Sequence, residues 1–467
     1  MQNKLKNWLT PIENNLPELY LVGGSIRDLL LQRQPKDIDL VCRQARKTAE
    51  TLAAAHHAAF VPFQKKADQP CFRVVDRNDP DNVLDIAEIQ GQDIYDDLNN
   101  RDFTINALAA RVDGTGYFSE IIDPLNGQKD LKDRIIRMAG RDAFHNDPLR
   151  MVRAFRFAAK LDFTIHETTK NAISNICDRI RETASERVLY ELMEIFKTDR
   201  SAAAMRLMDE TGLLDKIFPE ILPMKGCTQN DYHHLDVWAH SLAVLEKCEI
   251  IMQDLESYFN AYTGHVQDYL ALNNHAALLK LGALLHDIGK PGSRNVKETG
   301  RVTFYGHHTT GADMAEQLAQ RLRMANRDRV FLCMLITEHM HIINLIRPEV
   351  KASTRMRWFR RFKDDVIPVV IHGIADVNST CGPLSDEAYR RHFQEKCREI
   401  ITEYFTFIKP RLEKENLITG RDLTDLSMKP GPALGKILKK VREAQDSNMF
   451  QDRKEAIAYA KSLLPPS

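Results

Sequence analysis

Two aspartates, Asp37 and Asp39, follow a Gly23-Gly24 pair at a spacing that suits phosphoryl transfer. Read as a strand, Asp37-Ile38-Asp39-Leu40-Val41 places both carboxylates on one face, because side chains alternate, while Ile38 and Leu40 face a core. Carboxylates so placed share a pair of divalent cations roughly 3.5–4 Å apart, one activating an attacking hydroxyl and the other steadying a leaving pyrophosphate. Glycines, lacking Cβ, let backbone amides approach phosphate oxygens, and the helix that follows turns its positive end toward them. Either motif alone reads more readily as a tight turn, or as the wet face of an edge strand or a calcium loop. Together they favour the chemistry.

A second constellation lies in the C-terminal half: His240, then His286-Asp287, then Asp376. Adjacent His and Asp point roughly 100° apart on a helix. Both therefore face one ion only if it lies between helices, and other helices must supply His240 and Asp376. Such an N/O site suits manganese, nickel, magnesium or zinc and activates water for phosphoester hydrolysis. A lone His-Asp pair is usually a surface accident, but the ordered set, with Gly289-Lys290-Pro291 closing the helix, is more specific. His308 and His339 are candidates for a second ion, and a solvated loop position is the favoured reading for both.

Between these sites Pro148 sits where a helix can start, and Arg150, Arg153 and Arg156 recur three apart along one side of it. From Arg134 through Lys160 seven Lys or Arg stand against two Asp, a local charge of +5. On charge alone this is as readily a solvated helix face, with Asp147 as its N-cap.

These residues need elements to hold them. Residues 20 to about 140 mix short apolar runs with turns, and almost everything after 146 has helical periodicity, so an α+β head is followed by a helical body. Breaks fall near Pro219 to Asp231 and around Ser293 to Gly306, and a last segment begins near Leu417. The 467 residues are too many for one core. Lys plus Arg equals Asp plus Glu at 65 each, which excludes a wholly basic nucleic-acid coat and leaves only a local patch. The first ten residues lack the apolar core of a secretory signal, and no stretch of eighteen apolar residues runs without charge, so a cytoplasmic protein without a membrane partner is expected. Eight cysteines without a CxxC pair read as scattered buried thiols.

The head resembles the polymerase-β-like nucleotidyltransferases, and Val22 through Asp39 looks like the first motif of the class II tRNA nucleotidyltransferase/poly(A) polymerase family. The stretch Asp97 to Ala109, containing Arg101, Asp102 and Asn106, is similar to the family's second motif, in which an arginine grips the triphosphate and an Asp recognises the sugar. Ile122-Asp123-Pro124, Gly127 and Asp130-Leu131 resemble its third. Asp85 has the strand context of a third active-site carboxylate, with a solvated strand face as an equal alternative. Asp147 and Arg150 match the family's acid–acid–x–x–Arg template, whose Asp and Arg pair with the edge of incoming CTP or ATP, while Asn146 stands where the first acid is expected. Glu186-Arg187 and Glu191 look like the neck that supports the head, His240 to Asp376 resembles the HD phosphohydrolase superfamily, and Thr419-Gly420 with Pro430-Gly431-Pro432 is similar to a tRNA-holding tail.

The resemblance implies a mixed-sheet nucleotidyltransferase head (residues 1–140), an all-α template and neck region (141–225), an HD domain (226–400) and a helical RNA-binding tail (401–467). It implies an enzyme that adds CMP and AMP from CTP and ATP to an RNA 3′-hydroxyl, most naturally that of tRNA. Asp37 and Asp39 would hold Mg2+. Gly23, Gly24, Arg27, Arg101, Asp102 and Asn106 would bind the nucleotide, Asp147 with Arg150 would select its base, and Arg153 and Arg156 would assist. CCA, CC-only, A-only and poly(A) addition share these motifs. An HD phosphohydrolase or RNA-binding protein with a degenerate head is the alternative from another class, opposed by the intact Asp37, Asp39 and Arg101. Oligomeric state is not legible.

Overall fold

The computed structural model describes residues 1–11, 17–35, 37–66, 69–446 and 449–464. It divides into two compact units, 1–219 and 220–467.

In the first unit a six-stranded sheet is built from β1 (Leu19–Val22), β2 (Ile38–Cys42), β3 (Ala59–Lys66), β4 (Gln69–Val75), β5 (Val83–Glu88) and β6 (Ala109–Val112). Its order is β3-β4-β5-β2-β1-β6, and only β2 and β5 run parallel. Strands covered on both faces read as nearly continuous apolar runs, and β1, Leu19-Tyr20-Leu21-Val22, is buried throughout. In β2 the expected alternation holds at its start: Ile38 and Leu40 are buried and Asp39 between them is not. Tyr20, Val22, Val41, Leu98 and Ala109 pack one core against the helix Ile94–Asn99. Truncating a fully buried leucine such as Leu98 costs roughly 2–5 kcal/mol.

The helix Leu149–Leu161 follows, ended by Asp162 in the left-handed conformation. Met151, Val152, Ala154, Phe155 and Ala158 are buried, so the polar side of this helix carries its arginines. It packs against the helix Ser185–Phe196, whose Val188, Leu192 and Ile195 are buried.

The second unit is helical, with Val237–Gln253, His275–Leu285, His307–Arg321, Asn326–Glu338, Val366–Asn378 and Glu387–Glu403 as its main members. Val366–Asn378 is buried at every position from Val366 to Val377, as expected of a helix apolar all round. The break expected near residues 293 to 306 is a small hairpin, Asn295–Val296 against Val302–Thr303. Gly289, after the His-Asp pair, has no room for a Cβ, which would collide with the backbones of His307 and Gly311. At the C-terminal end Thr419 and Asp422 form a capping box for the helix Gly420–Asp425. Leu423, Val441, Ala456 and Ala460 bury this segment's own small core. Among the described residues no disulfide joins any of the cysteines, and no helix is long and apolar enough to cross a membrane.

Candidate active site and metal centre

A pocket of about 810 Å³ in the first unit is lined by Gly23, Gly24, Arg27, Asp37, Asp39, Arg101, Asp102, Asn106, Asp147, Arg150, Arg153 and Arg156. Every head position singled out for chemistry in the sequence therefore faces one space, of a size that suits a small ligand.

Its floor is built locally. Ser25 Oγ donates to the Asp37 carbonyl at 3.1 Å and accepts from the Asp39 amide at 2.9 Å, tying the Gly-Gly turn to the start of β2. Gly23 holds φ +64°, which disfavours a side chain, and a Cβ there would stand 2.7 Å from Arg101 Nη1. A Cβ on Gly24 would lie 3.6 Å from Arg27 Nη2 and 3.7 Å from Asp39 Oδ2. The turn thus places bare backbone between two guanidiniums and a carboxylate. Asp85 faces Asp39 across the parallel pair in register. At 3% exposure it is not on a solvated strand face, which corrects that alternative. Arg73 grips both its oxygens, at 2.7 and 2.9 Å, and the bond to Asp85 holds the Arg73 guanidinium above its ordinary range.

The walls are a chain of ion pairs. Arg27 donates to Asn106 Oδ1 at 2.8 Å, and Asn106 donates in turn to Asp102 Oδ1 at 3.0 Å. Asp102 is buried, which by itself would raise its carboxyl pKa. The Arg153 charge, the Asn106 amide and Arg150 outweigh that and hold it well below the usual carboxylate range. Arg101 donates from Nε and Nη2 to Asp97 Oδ2 at 3.0 and 2.9 Å. The alternative of a solvated helix face is corrected, since the arginine side of this helix is partly sunk. Arg150 is 5% exposed and donates to the Arg101 and Asn100 carbonyls at 2.8 and 2.7 Å. Burial pushes its pKa down. Arg156 pairs with Glu191, and its guanidinium lies over the Phe157 ring, 4.3 Å from the centroid.

Asp147 is 6% exposed, with Oδ1 accepting from the Leu149 amide at 3.3 Å and Oδ2 from Arg187 Nη2 at 3.2 Å. It holds the first amide of the helix, whose N-cap position is Pro148 and not the expected Asp147, and it lines the pocket at once. Asn146 is exposed and does not belong to the pocket lining. The departure from the template motif therefore falls at a position turned to solvent.

In the second unit five helices, Val237–Gln253, His275–Leu285, His307–Arg321, Asn326–Glu338 and Val366–Asn378, bring their residues to the other constellation. His240 Nε2 stands 3.0 Å from Asp376 Oδ1, His286 Nε2 stands 3.0 Å from Asp287 Oδ2, and His240 Nε2 lies 3.9 Å from that same Asp287 oxygen. His307 Nε2 and His339 Nε2 are 3.5 and 3.8 Å from Asp287 Oδ1 and 3.1 Å from each other. Their Nδ1 atoms are turned to the Phe304 and Ile336 carbonyls at 2.7 and 2.6 Å, which orients both rings inward. The reading of His339 as a solvated loop residue is corrected, since it is 1% exposed, and the partner beside it is His307, not His308. Periodicity held no sign of this choice between adjacent histidines. Sequence reasoning also missed His233, whose ring meets that of His240 at 4.7 Å, and His372, one helical turn before Asp376 and 4.8 Å from the His286 ring.

Among the described residues, groups able to hold a cation are His233 with His240 and Asp376, His240 with His286 and Asp287, and Asp287 with His307 and His339. Asp287 Oδ1 and His286 Nε2 are buried without a hydrogen-bond partner among the described residues, a fit to a divalent metal. Burial lowers the pKa of His240, His307 and His339, favouring the neutral rings that ligate. Burial would raise Asp287, but His286 and Lys290 hold it well below the carboxylate range. Lys290 Nζ lies 2.6 Å from Asp287 Oδ2 and donates to Gln229 Oε1 at 2.7 Å.

Comparison with known proteins bears on all three regions. Residues 19–137 match the poly A polymerase head domain, 162–225 a probable RNA- and SrmB-binding site of polymerase A, and 237–364 the HD domain. The chain is 28% identical over 452 residues to an A-adding tRNA nucleotidyltransferase of Deinococcus radiodurans, covering 95% of both. It is 30% identical over 351 residues to a multifunctional CCA protein of Actinobacillus pleuropneumoniae serotype 5b, covering 71% of this chain and 78% of that one. The fold is similar to that of the Thermotoga maritima CCA-adding enzyme complexed with tRNA, with a TM-score of 0.63 at 20% identity over 99% of this chain and 95% of that one.

Proposed function

The chain belongs to the tRNA nucleotidyltransferase/poly(A) polymerase family, and from that premise we propose that it transfers CMP and AMP from CTP and ATP to the 3′-hydroxyl of tRNA, releasing pyrophosphate. The observation that carries the reading is the single pocket shared by Asp37, Asp39, the Gly23-Gly24 turn and the Asp147–Arg150 pair. Chemistry, phosphate binding and base choice then meet in one place.

In this reading Asp37 and Asp39 hold Mg2+, which when bound activates the hydroxyl and neutralises the leaving group. Gly23 and Gly24 present backbone to the triphosphate beside Arg27 and Arg101, and Asp102 and Asn106 lie where the sugar is recognised. The side chains of Asp147 and Arg150 read the base edge. A carboxylate accepts from the exocyclic amine of cytosine or adenine, and a guanidinium donates to ring nitrogen or carbonyl. Uracil and guanine present the opposite pattern. Arg153 and Arg156 assist by fixing Asp102 and Glu191. Residues 1–140 are then the catalytic head, 141–225 the template and neck, 226–400 the HD domain and 401–467 the tail, in a protein of the cytoplasm.

The HD residues His240, His286, Asp287 and Asp376, with His307 and His339 beside them, suit manganese, nickel, magnesium or zinc and hydrolysis of a phosphoester. The test of the main reading is incubation of tRNA transcripts lacking CCA, CA or A with each labelled nucleoside triphosphate. Template-independent incorporation of C and A, but not U or G, is expected. Indefinite A addition would instead mark a poly(A) polymerase, and no incorporation would remove the reading.

A further inference from the structure

We propose that His233 is a further ligand of the HD metal centre, brought there by a loop strapped across His240 and Asp376. The inference rests on the reading of that cluster as a metal centre and extends its ligand set ahead of the residues that match the HD domain, which begin at 237. Residues 226–236 form neither helix nor strand. Their ends are nevertheless held together, since the Gly226 amide donates to Asp236 Oδ2 at 2.7 Å and the Val237 amide to the Cys227 carbonyl at 3.1 Å. Surface loops with closed ends are compact and frequently functional.

Its bonds lay this loop across the centre. Gln229 Oε1 accepts from Lys290 Nζ, whose ammonium rests on Asp287, and Arg294 donates to the Thr228 carbonyl and hydroxyl at 3.3 and 2.9 Å. Just past the helix that carries Asp376, the Gly382 and Leu384 amides donate to the Tyr232 and Asp231 carbonyls at 2.9 and 3.2 Å. A Cβ on Gly382 would stand 2.3 Å from the Asp231 carbonyl oxygen, so the approach leaves no room for a side chain. Between these anchors Tyr232 and His234 are exposed, while His233 is partly buried and turns inward. Its ring meets that of His240 at 4.7 Å and 84°, and ligating atoms of His233, His240 and Asp376 lie within 4.8 Å of one another. Asn230 Oδ1 accepts from the Tyr232 amide at 3.3 Å and lies 2.9 Å from His233 Nδ1. An oxygen that accepts from both puts the ring proton on Nδ1 and leaves the Nε2 lone pair to ligate. Edge-to-face packing on His240 makes no use of that lone pair; a cation does.

The experiment titrates Mn2+ into the whole chain by calorimetry and follows hydrogen exchange of residues 226–237 by mass spectrometry with and without the ion. Wild type is compared with His233→Phe, His233→Ala and His286→Ala. His233→Phe keeps a ring against His240 and removes the nitrogens. Affinity for Mn2+ should fall at least about tenfold in both His233 variants, the low end of what the loss of an outer-shell partner alone costs. Mn2+ should also slow exchange across the loop in wild type and leave it unchanged in His233→Phe. A wild-type loop whose exchange ignores Mn2+ would overturn the proposal. If wild type binds Mn2+ no better than His286→Ala, the metal-centre reading fails and takes this inference with it; if it binds better while His233→Phe matches it, the ring is a packing residue and only the present inference fails.

Discussion

Arg153 donates to Asp102 Oδ2 through both Nε, at 3.0 Å, and Nη2, at 2.7 Å, joining the template helix to a loop 51 positions earlier in the chain. Asp102 is 8% exposed and also accepts from Asn106 and from the Phe103 amide. Breaking a buried pair by removing one partner typically costs 3–5 kcal/mol, because the other charge is left uncompensated. The Arg153 side chain is 33% exposed, so water screens the pair in part and Arg153→Ala should destabilise the first unit by less than that in urea unfolding, while Asp102→Asn paired with Arg153→Met should recover most of it. The folded-state pKa of Asp102 is depressed. Its contribution is thus present above the ordinary carboxylate value of 3.8 and is lost progressively as pH falls below it. Acid unfolding of the wild type should begin at lower pH than that of Arg153→Ala.

Asp37→Ala or Asp39→Ala should abolish nucleotide incorporation. Asp37 is exposed and Asp39 only half-buried, so neither variant should change the free energy of urea unfolding by more than about a few tenths of a kcal/mol. Full activity in either variant would remove the two-cation assignment. Ser25→Ala, which cuts the bonds to Asp37 and Asp39, should slow transfer without ending it.

Changing Arg150 should blur nucleotide choice more than it weakens tRNA binding, by roughly 1–3 kcal/mol in discrimination. The structure adds a second effect. Arg150→Ala leaves the Asn100 and Arg101 carbonyls without their donors, at a stability cost of about 1–3 kcal/mol. Arg150→Lys should restore neither property, since the fork of a guanidinium reaches two acceptors and an ammonium is a point. Kinetics and thermal melts on the same variants separate the two effects, and a pure loss of tRNA affinity would count against the template.

His286→Ala should spare nucleotide addition while ending any hydrolysis of a cyclic phosphate. Elemental analysis after dialysis against manganese should give less bound metal for His286→Ala, for Asp287→Ala and for His307→Ala than for wild type. An unchanged content in all three would dismiss this cluster as a metal centre. Loss of nucleotide addition in His286→Ala would make the domain a structural support.

The sheet, the following helices and the main groups of both sites were legible because each rests on local pattern. Asp37 and Asp39 declared themselves through alternation with Ile38 and Leu40, and the His286-Asp287 pair through its helical context. What the pattern could not carry was tertiary. Whether Asp85 faces water or Arg73 depends on the strand order that sets β4 beside β5. The choice of His307 over His308 depends on how a helix N-terminus is turned. Arg150, spaced like Arg153 and Arg156, was indistinguishable from them until two carbonyls 49 and 50 residues away captured it. His372 lies in a run so uniformly apolar that periodicity assigns it no face.

Lys290 carries the last consequence. Its ammonium, braced by Gln229, rests on an Asp287 oxygen, so the charge of that buried acid is countered by a group covalently part of the chain. Domains whose clustered ligands have no such internal counterweight collapse when chelators strip them. Here removal of metal by a chelator should leave the helices of the second unit standing, since the buried acid keeps a counter-charge of its own.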